Sequence, residues 1–451
     1  MKKRILCAAL IIALAVSAVG CSQNTASYDA AYDGAAKNSV TAETAGADLG
    51  ETTAEYLGDS FDGVEGEAAF DVADAPILND ALTAGAADDK AEVNGTPKAA
   101  TDDKAEKVSS EVSLPVAGQL TAGEWNDNDN WGFFSNLVNS GTISFPSFGL
   151  YPNNRTAVTV KGKDGSAVVN ARVTLLDESG NALWNSVTNK DGTAYLFNQT
   201  KTPAVSVEVK SGGKKQSYKL EESKTNDQTA KNTDSKELEV TFDGNGELYK
   251  SMDIMFIVDT TGSMSDELLF LQSEFTAITN AVGTKDTRYS VNFYRDEGDD
   301  YVTKCSEFTS DVKELQKVLN KERAEGGGDY PEAVADILKE SIFDGGWNEN
   351  SVKLAFLIFD APPHSGTEDT IVSAVEEAAK KGIRVIPIVA SDSDRDTELF
   401  GRALAIATGG DYVFLTDDSG IGNSHTEPII GSYEVIKLYD LIIDIINDYK
   451  Q

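Results

Sequence analysis

Cysteine, histidine and positive charge are all scarce in this 451-residue chain, and each scarcity removes a class of explanation. The three cysteines are Cys7, Cys21 and Cys305. Cys7 lies in an amino-terminal leader and Cys21 at its end, so no intrachain disulfide framework remains and stability must come from packed cores. Cys305 falls in a strand-like run and reads as a small buried hydrophobe. The two histidines, His364 and His425, lack the thiolate partners of a zinc pair, and each reads as a loop residue hydrogen-bonding at the rim of a site. Lys and Arg number 39 against 74 Asp and Glu, a net charge of −35. Such acidity argues against nucleic acid, whose phosphates would be repelled, and favours cations and basic surfaces as partners. After residue 19 no apolar run approaches the roughly 20 residues that span a bilayer, so the remainder reads as exported and soluble.

The leader itself is well formed. Lys2, Lys3 and Arg4 precede an apolar stretch over 5–19 and the small-residue end Ala18-Val19-Gly20-Cys21, the pattern of an export signal. With Cys directly after the small residues, the segment resembles a bacterial lipoprotein signal. The resemblance implies that residues 1–20 are removed and that Cys21 is lipidated as the mature terminus. It places the protein at the cell membrane, lipid-anchored on the extracytoplasmic face; the alternative is an ordinary cleaved signal with a chance cysteine. Residues 21–114 are Ala, Asp, Glu, Thr and Gly with scattered single aromatics, too little apolar surface to offset ordering entropy. They read as a long disordered acidic tether with a span on the order of 55 Å. Residues 115–154 form a Trp-rich lead-in segment containing Trp125, Trp131, Phe133 and Phe134. Asp127, Asn128 and Asp129 lack the Gly and distal Glu of an EF-hand loop, so they read as a surface turn.

Over 155–248 short period-two strands alternate with turn signals such as Lys163-Asp164-Gly165, Glu178-Ser179-Gly180 and Lys190-Asp191-Gly192. That spacing predicts an antiparallel all-β sandwich. From Asp253 the pattern changes. Continuous apolar runs at Ile254–Val258, Leu354–Phe359 and Val385–Ala390 read as parallel strands buried on both faces. Amphipathic stretches at Asp266–Ile278, Ala333–Ile342, Thr370–Ala379 and Leu438–Tyr449 read as helices. The fold class is therefore multidomain: an all-β sandwich followed, over 249–451, by a doubly wound, Rossmann-like α/β domain with a mostly parallel sheet. Tyr289–Tyr294 and Tyr301–Phe308 are too close for a crossover helix and should form an antiparallel edge ribbon. Pro387 sits uneasily in a central strand, since it cannot donate to a ladder.

One run combines carboxylate and hydroxyls at the carboxyl end of a buried strand, Asp259-Thr260-Thr261-Gly262-Ser263-Met264, half of a hard-cation site. With Gly326-Gly327-Gly328-Asp329-Tyr330-Pro331-Glu332 and Asp360-Ala361-Pro362-Pro363-His364 it resembles the von Willebrand factor A domain. The resemblance implies a metal-ion-dependent adhesion site built from Asp259, Thr261 and Ser263, with Asp360 from a third loop. It implies Mg²⁺, with Mn²⁺ or Ca²⁺ as alternatives, whose bound water an acidic side chain of a protein ligand replaces. Where the family often has Thr, this chain has Asp329, which is either a further ligand or the cap of an Asp-x-x-Glu box with Glu332; the two roles need not exclude each other. No Gly-Lys-Ser/Thr follows the triple glycine, so it reads as a turn rather than a phosphate loop. The order of strands and Asp-Gly turns over 155–245 looks like the carboxypeptidase-regulatory-like sandwich, an accessory fold that imports no catalysis. The expected function is membrane-anchored recognition or adhesion, non-enzymatic. The alternatives are a hydrolase using the same metal to activate water and an envelope assembly factor or structural spacer.

Overall fold

The computed structural model describes residues 120–145, 148–150, 152, 154–220, 235–420 and 424–450. The leader, Cys21, the acidic stretch and the start of the lead-in lie outside the described residues. Among those described, no helix is long and apolar enough to cross a membrane.

The elements run β1 (Thr121–Trp125), α1 (Trp131–Asn139), β2 (Arg155–Gly162), β3 (Arg172–Leu176), β4 (Ala182–Val187), β5 (Thr193–Phe197), β6 (Ser206–Ser211), β7 (Lys214–Lys219) and β8 (Lys236–Phe242). They continue with β9 (Ser251–Asp259), α2 (Ser265–Val282), β10 (Thr287–Tyr294), β11 (Thr303–Lys304), α3 (Val312–Leu319), α4 (Val334–Phe343) and β12 (Ser351–Phe359). The last are α5 (Glu368–Lys381), β13 (Ile383–Val389), α6 (Arg395–Thr408), β14 (Tyr412–Thr416), β15 (Ile436–Lys437) and α7 (Leu438–Tyr449).

The apolar runs of β9, β12 and β13 pair in parallel at the centre of a sheet ordered β11-β10-β9-β12-β13-β14-β1-β15. Two-sided burial follows from the period of two in a strand. Ile254, Phe256 and Val258 face a core shared with Leu271, Phe275 and Ile442, whereas Met255 and Ile257 face one shared with Ile337, Val375 and Leu404. Thus α2, α3 and α7 cover one face, and α4, α5 and α6 the other. The edge ribbon is short, with β11 joining β10 antiparallel through only two residue pairs. Cys305 falls just past that edge strand and is exposed, which corrects its reading as a buried hydrophobe. Its thiol is pushed up to about 12 by partial desolvation and by neighbouring Glu340. Pro387 pairs with Leu357 on one side and precedes Ile388, the first residue of β13 paired with β14, so it stands where the second ladder has not begun.

Residues 155–242 form two small sheets, β5-β2-β8 and β4-β3-β6-β7, whose apolar sides share one core. Trp184 and Phe197, from different sheets, meet edge to face at 5.7 Å. The expected all-antiparallel pattern fails at one place: β2 and β8, the first and last strands of the region, lie side by side in parallel. The region rests against the α5 and α6 layer, with β4 on α5 and β5 on α6.

The Trp-rich segment is part of the large sheet rather than a preface to it. β1 pairs antiparallel with β14, Thr121 opposite Thr416 and Trp125 opposite Tyr412. The following turn was expected at the surface, yet Asp127 and Asn128 are buried. Arg402 of α6, wholly buried, explains this: its Nε and Nη2 each donate to Asp127 at 2.8 Å, and its Nη1 donates to Glu398 and to the Ile429 carbonyl at 3.0 Å. A buried pair does not add greatly to stability when whole, but removing one partner strands the other charge at a cost of about 3–5 kcal/mol. Asp127→Ala should therefore lower the unfolding free energy by about that amount in urea titration. An unchanged midpoint would mean that the β1 ladder alone docks the segment.

Candidate metal-binding site

β9 and β12 run in parallel with Val258 opposite Ile358, so the residues after each strand emerge side by side at one end of the sheet. Those residues begin with Asp259 and Asp360, both buried. The first loop folds back on its own carboxylate: Asp259 Oδ1 accepts from the Thr261 N–H at 2.9 Å and from Thr261 Oγ1 at 2.7 Å. Ser263 Oγ lies 3.5 Å from Thr261 Oγ1. A short 3-10 turn, Gly262–Met264, then leads into α2.

The glycine loop is laced to the first. Gly262 N–H donates to the Gly326 carbonyl at 3.1 Å, and Glu325 N–H to the Thr260 carbonyl at 3.0 Å. Gly327 has φ +74°, and a Cβ there would sit 2.9 Å from Glu332 Oε1 and 3.1 Å from Thr261 Cβ, so the close approach requires glycine on two counts. Asp299 Oδ2 accepts from the Gly327 N–H at 2.8 Å. Asp296, three residues before it, is held at 2.5 Å by His364 Nε2. His364 is thus at the rim as expected, whereas His425 pairs with Asp417 beyond the end of β14. Loops and glycines together shape a cleft of about 290 Å³ lined by Thr261, Ser263, Asp329, Tyr330, Glu332 and Asp360 among others.

Asp329 is exposed on this cleft. It does not cap α4, whose first helical residue is Val334 and whose N-cap is Ala333 with no side-chain cap bond. The capping-box reading is therefore corrected. Glu332, its expected partner in that box, is instead buried at the site, because its backbone bridges to the third loop, donating to the Pro362 carbonyl at 3.0 Å. Glu267 in the first turn of α2 is also buried, with Oε1 accepting from Ser391 Oγ at 2.7 Å. Neither Glu332 nor Glu267 was picked out as a site residue; Glu267 carried one usable signal, its place one turn into the helix that follows the hydroxyl motif.

Asp259 Oδ2, Glu267 Oε2 and Glu332 Oε2 are buried without a hydrogen bond. The Tyr294 hydroxyl faces Asp259, but it too forms no bond of ordinary geometry. Burial raises every one of these carboxyls, since it disfavours the charged form, and their mutual repulsion adds to the effect. Asp259 is raised to about 6 by desolvation, Asp360 to about 7 by desolvation and by Asp259, and Glu332 to about 9 by desolvation and by Asp259 and Asp296. Among the described residues no three or more His, Cys, Asp or Glu side chains form a metal cage. The site is of another kind, two aspartates with two hydroxyls, a donor set of hard oxygens suited to Mg²⁺ or Ca²⁺. Orphaned anionic oxygens that only a cation or a proton relieves fit such an ion.

Residues 253–421 match the von Willebrand factor A domain. The chain carries such a domain over those residues. An ariadne-like RING finger protein of Acanthamoeba polyphaga mimivirus is 27% identical over 44% of this chain and 21% of its own length. An alpha-protein kinase of Dictyostelium discoideum is 32% identical over 26% of this chain and 19% of its own length. The chain thus spans about a fifth of the length of these curated relatives.

The raised carboxyls set a direction for pH dependence. A group whose folded pKa lies above its unfolded value binds more protons when folded, so its stabilising contribution, full below about pH 4, is lost as pH rises through the folded pKa. For Asp259 and Asp360 the loss spans about pH 4 to 7. In chelator, the urea midpoint of the wild type should fall relative to Asp360→Asn across that window, and Mg²⁺ should restore it near neutrality, where the carboxylates are free to bind. Parallel pH profiles for the two proteins would refute the assigned burial of charge.

Proposed function

We propose that the protein is a non-enzymatic recognition or adhesion factor that holds a divalent ion, Mg²⁺ in the first instance, and presents it to a protein partner. The observation that carries this reading is the buried, unbonded Oδ2 of Asp259 set beside buried Asp360 and the hydroxyls of Thr261 and Ser263 at the open end of a parallel sheet. Asp259, Thr261, Ser263 and Asp360 would hold the ion, with exposed Asp329 as a further acidic ligand from the glycine loop. The ion supplies a positive centre with an exchangeable position, for which an acidic side chain of the partner is the natural occupant. The two-sheet region, in its likeness to a carboxypeptidase-regulatory-like sandwich, serves as an accessory platform. The leader places the assembly on the extracytoplasmic face through lipid on Cys21.

Isothermal titration should find one Mg²⁺ or Mn²⁺ per chain. Asp259→Ala should abolish binding while circular dichroism stays native, since loops at strand ends carry function on a separate core. Asp329→Thr should weaken metal affinity yet strengthen capture of a carboxylate-bearing partner, because it removes one negative charge facing the incoming group. Capture of an envelope protein equally well in Mg²⁺ and in EDTA would sink the metal-mediated reading.

Anchoring has its own test. Metabolic labelling with a radioactive fatty acid should mark the wild type and not Cys21→Ala; label retained by the variant would remove the lipid anchor.

A further inference from the structure

Against a net charge of −35, a cleft among the described residues is lined mainly by basic side chains. It lies at the opposite end of the large sheet from the candidate metal site, where β12 and β13 begin and where the two-sheet region meets the A domain. Arg172 and Lys190 line it from the two-sheet region and Lys353, Lys381 and Arg384 from the A domain, with Glu349 the one carboxylate of the lining, although Lys381 is itself paired with Glu377 at 3.5 Å.

The two innermost cations are buried and have no carboxylate within bonding distance. Lys353 Nζ donates only to the carbonyls of Ser351 at 3.0 Å and Glu349 at 3.2 Å. Arg384, wholly enclosed, donates through Nη1 to the Thr408 carbonyl and through Nη2 to the Val187 carbonyl, each at 2.6 Å. The acids that act on them are already engaged: Asp253, beside Lys353, is held by Arg288 at 2.7 and 2.9 Å and accepts from Ser351 Oγ and the Asn348 N–H, and Asp411, near Arg384, accepts from Asn126 Nδ2 at 2.7 Å and the Tyr449 hydroxyl at 3.0 Å. Lys353 is repelled by both Arg172 and Arg384 and is held down to about 8, chiefly by desolvation. Buried like charges without a counter-ion are costly. The position is also sterically defined, because at Gly382, φ +71°, a Cβ would lie 3.1 Å from Val187 Cβ, so the two regions meet here in close contact.

We propose that this junction is a second binding site, specific for a small oxyanion bearing phosphate or carboxylate oxygens, which Arg172 and Lys353 grip from the two sides. Arg172 is the outer, exposed arm and supplies the fork that suits paired oxygens; Lys353 is the inner point charge. Because one arm belongs to each region, the anion would also couple them. The site shares no residue with the metal cleft and does not rest on the metal reading.

Titration calorimetry of the full mature chain with inorganic phosphate, and separately with succinate, at constant ionic strength set by chloride, tests this. Saturable one-to-one binding of either anion is expected, and which anion binds tells phosphate from carboxylate as the natural group. Arg172→Gln alone, an exposed change, should weaken binding severalfold, and Arg172→Gln with Lys353→Met by at least about tenfold, the scale of losing a charge-assisted bond. Asp259→Ala should leave anion binding intact even as it removes the metal. Heats of dilution alone for both anions, or equal affinity in the wild type and Arg172→Gln, would overturn the proposal.

Discussion

The parallel register of β9 with β12 is the constraint on which the site depends. It sets Val258 opposite Ile358, so the chain leaves both strands at the same level and brings Asp259 and Asp360 together. Two carboxyls placed so by the backbone cannot separate without breaking a central ladder. Their raised proton affinity, due first to desolvation, with Glu267 adding at Asp259 and Asp259 adding at Asp360, is therefore built into the fold. The loops then add to the cost rather than relieving it, since Glu332 and Glu267 also bring buried carboxyl oxygens without hydrogen-bond partners. Stability is spent here for binding, as functional sites commonly do.

Holding such a sheet rigid requires cover on both faces, and the covering reaches farther along the chain than the A domain alone. Arg402 on α6 is neutralised by Asp127 from a segment 275 residues earlier, and β1 completes the sheet beside β14. Arg155 continues the same connection, its guanidinium stacked 4.2 Å from Trp131 while Nη1 donates to the Asn128 carbonyl at 3.1 Å. The two-sheet region is thus inserted between the first strand of the large sheet and the rest of it. A body entered and left through one sheet, and seated on α5 and α6, is fixed by its ends as well as by its contacts.

What the sequence revealed and what it hid follow one division. Strands β9, β12 and β13 were legible because burial on both faces leaves no polar residue to confuse the run, and α7 was legible to the residue, Leu438–Tyr449. The hydroxyl motif, the glycine loop and Asp360 were legible as chemistry in a fixed order, and the structure brings all three to one cleft. β1 was hidden: five residues, Thr-Ala-Gly-Glu-Trp, carry almost no period, and their meaning lies in a partner strand 295 residues away. Asp127 and Asn128 look like surface because hydrophilic residues usually are; the distant Arg402 and the Ile406 carbonyl, with Trp125 and Arg155, satisfy them in the interior. Helix α6 was hidden for a related reason. Its Gly401 lowers local helix propensity, yet a Cβ there would come within 3.2 Å of Val389, so the glycine is what lets the helix lie close on β13. Glu332 was misread because sequence spacing suggested a cap, while the bridge of its backbone to Pro363 delays the helix to Val334.

The two ends of the sheet carry opposite chemistry. At the carboxyl ends of the strands, acids gather around hydroxyls and glycine loops; at the amino ends of β12 and β13, Lys353 and Arg384 point their charge at carbonyls for want of a counter-ion. Both arrangements put charge of one sign in low dielectric, where water cannot screen it, and each is relieved most simply by a small ion of the other sign. Lys353 is the third residue of β12 and Asp360 follows its last, so most of one buried strand separates the two groups. A change of charge at one end reaches the other through that strand's packing and across roughly 23 Å of strand, a separation at which the interaction of two charges is far weaker than between neighbours a few Å apart within either cleft. The two proposed sites share no lining residue, so an ion held at one would not compete for the ligands of the other.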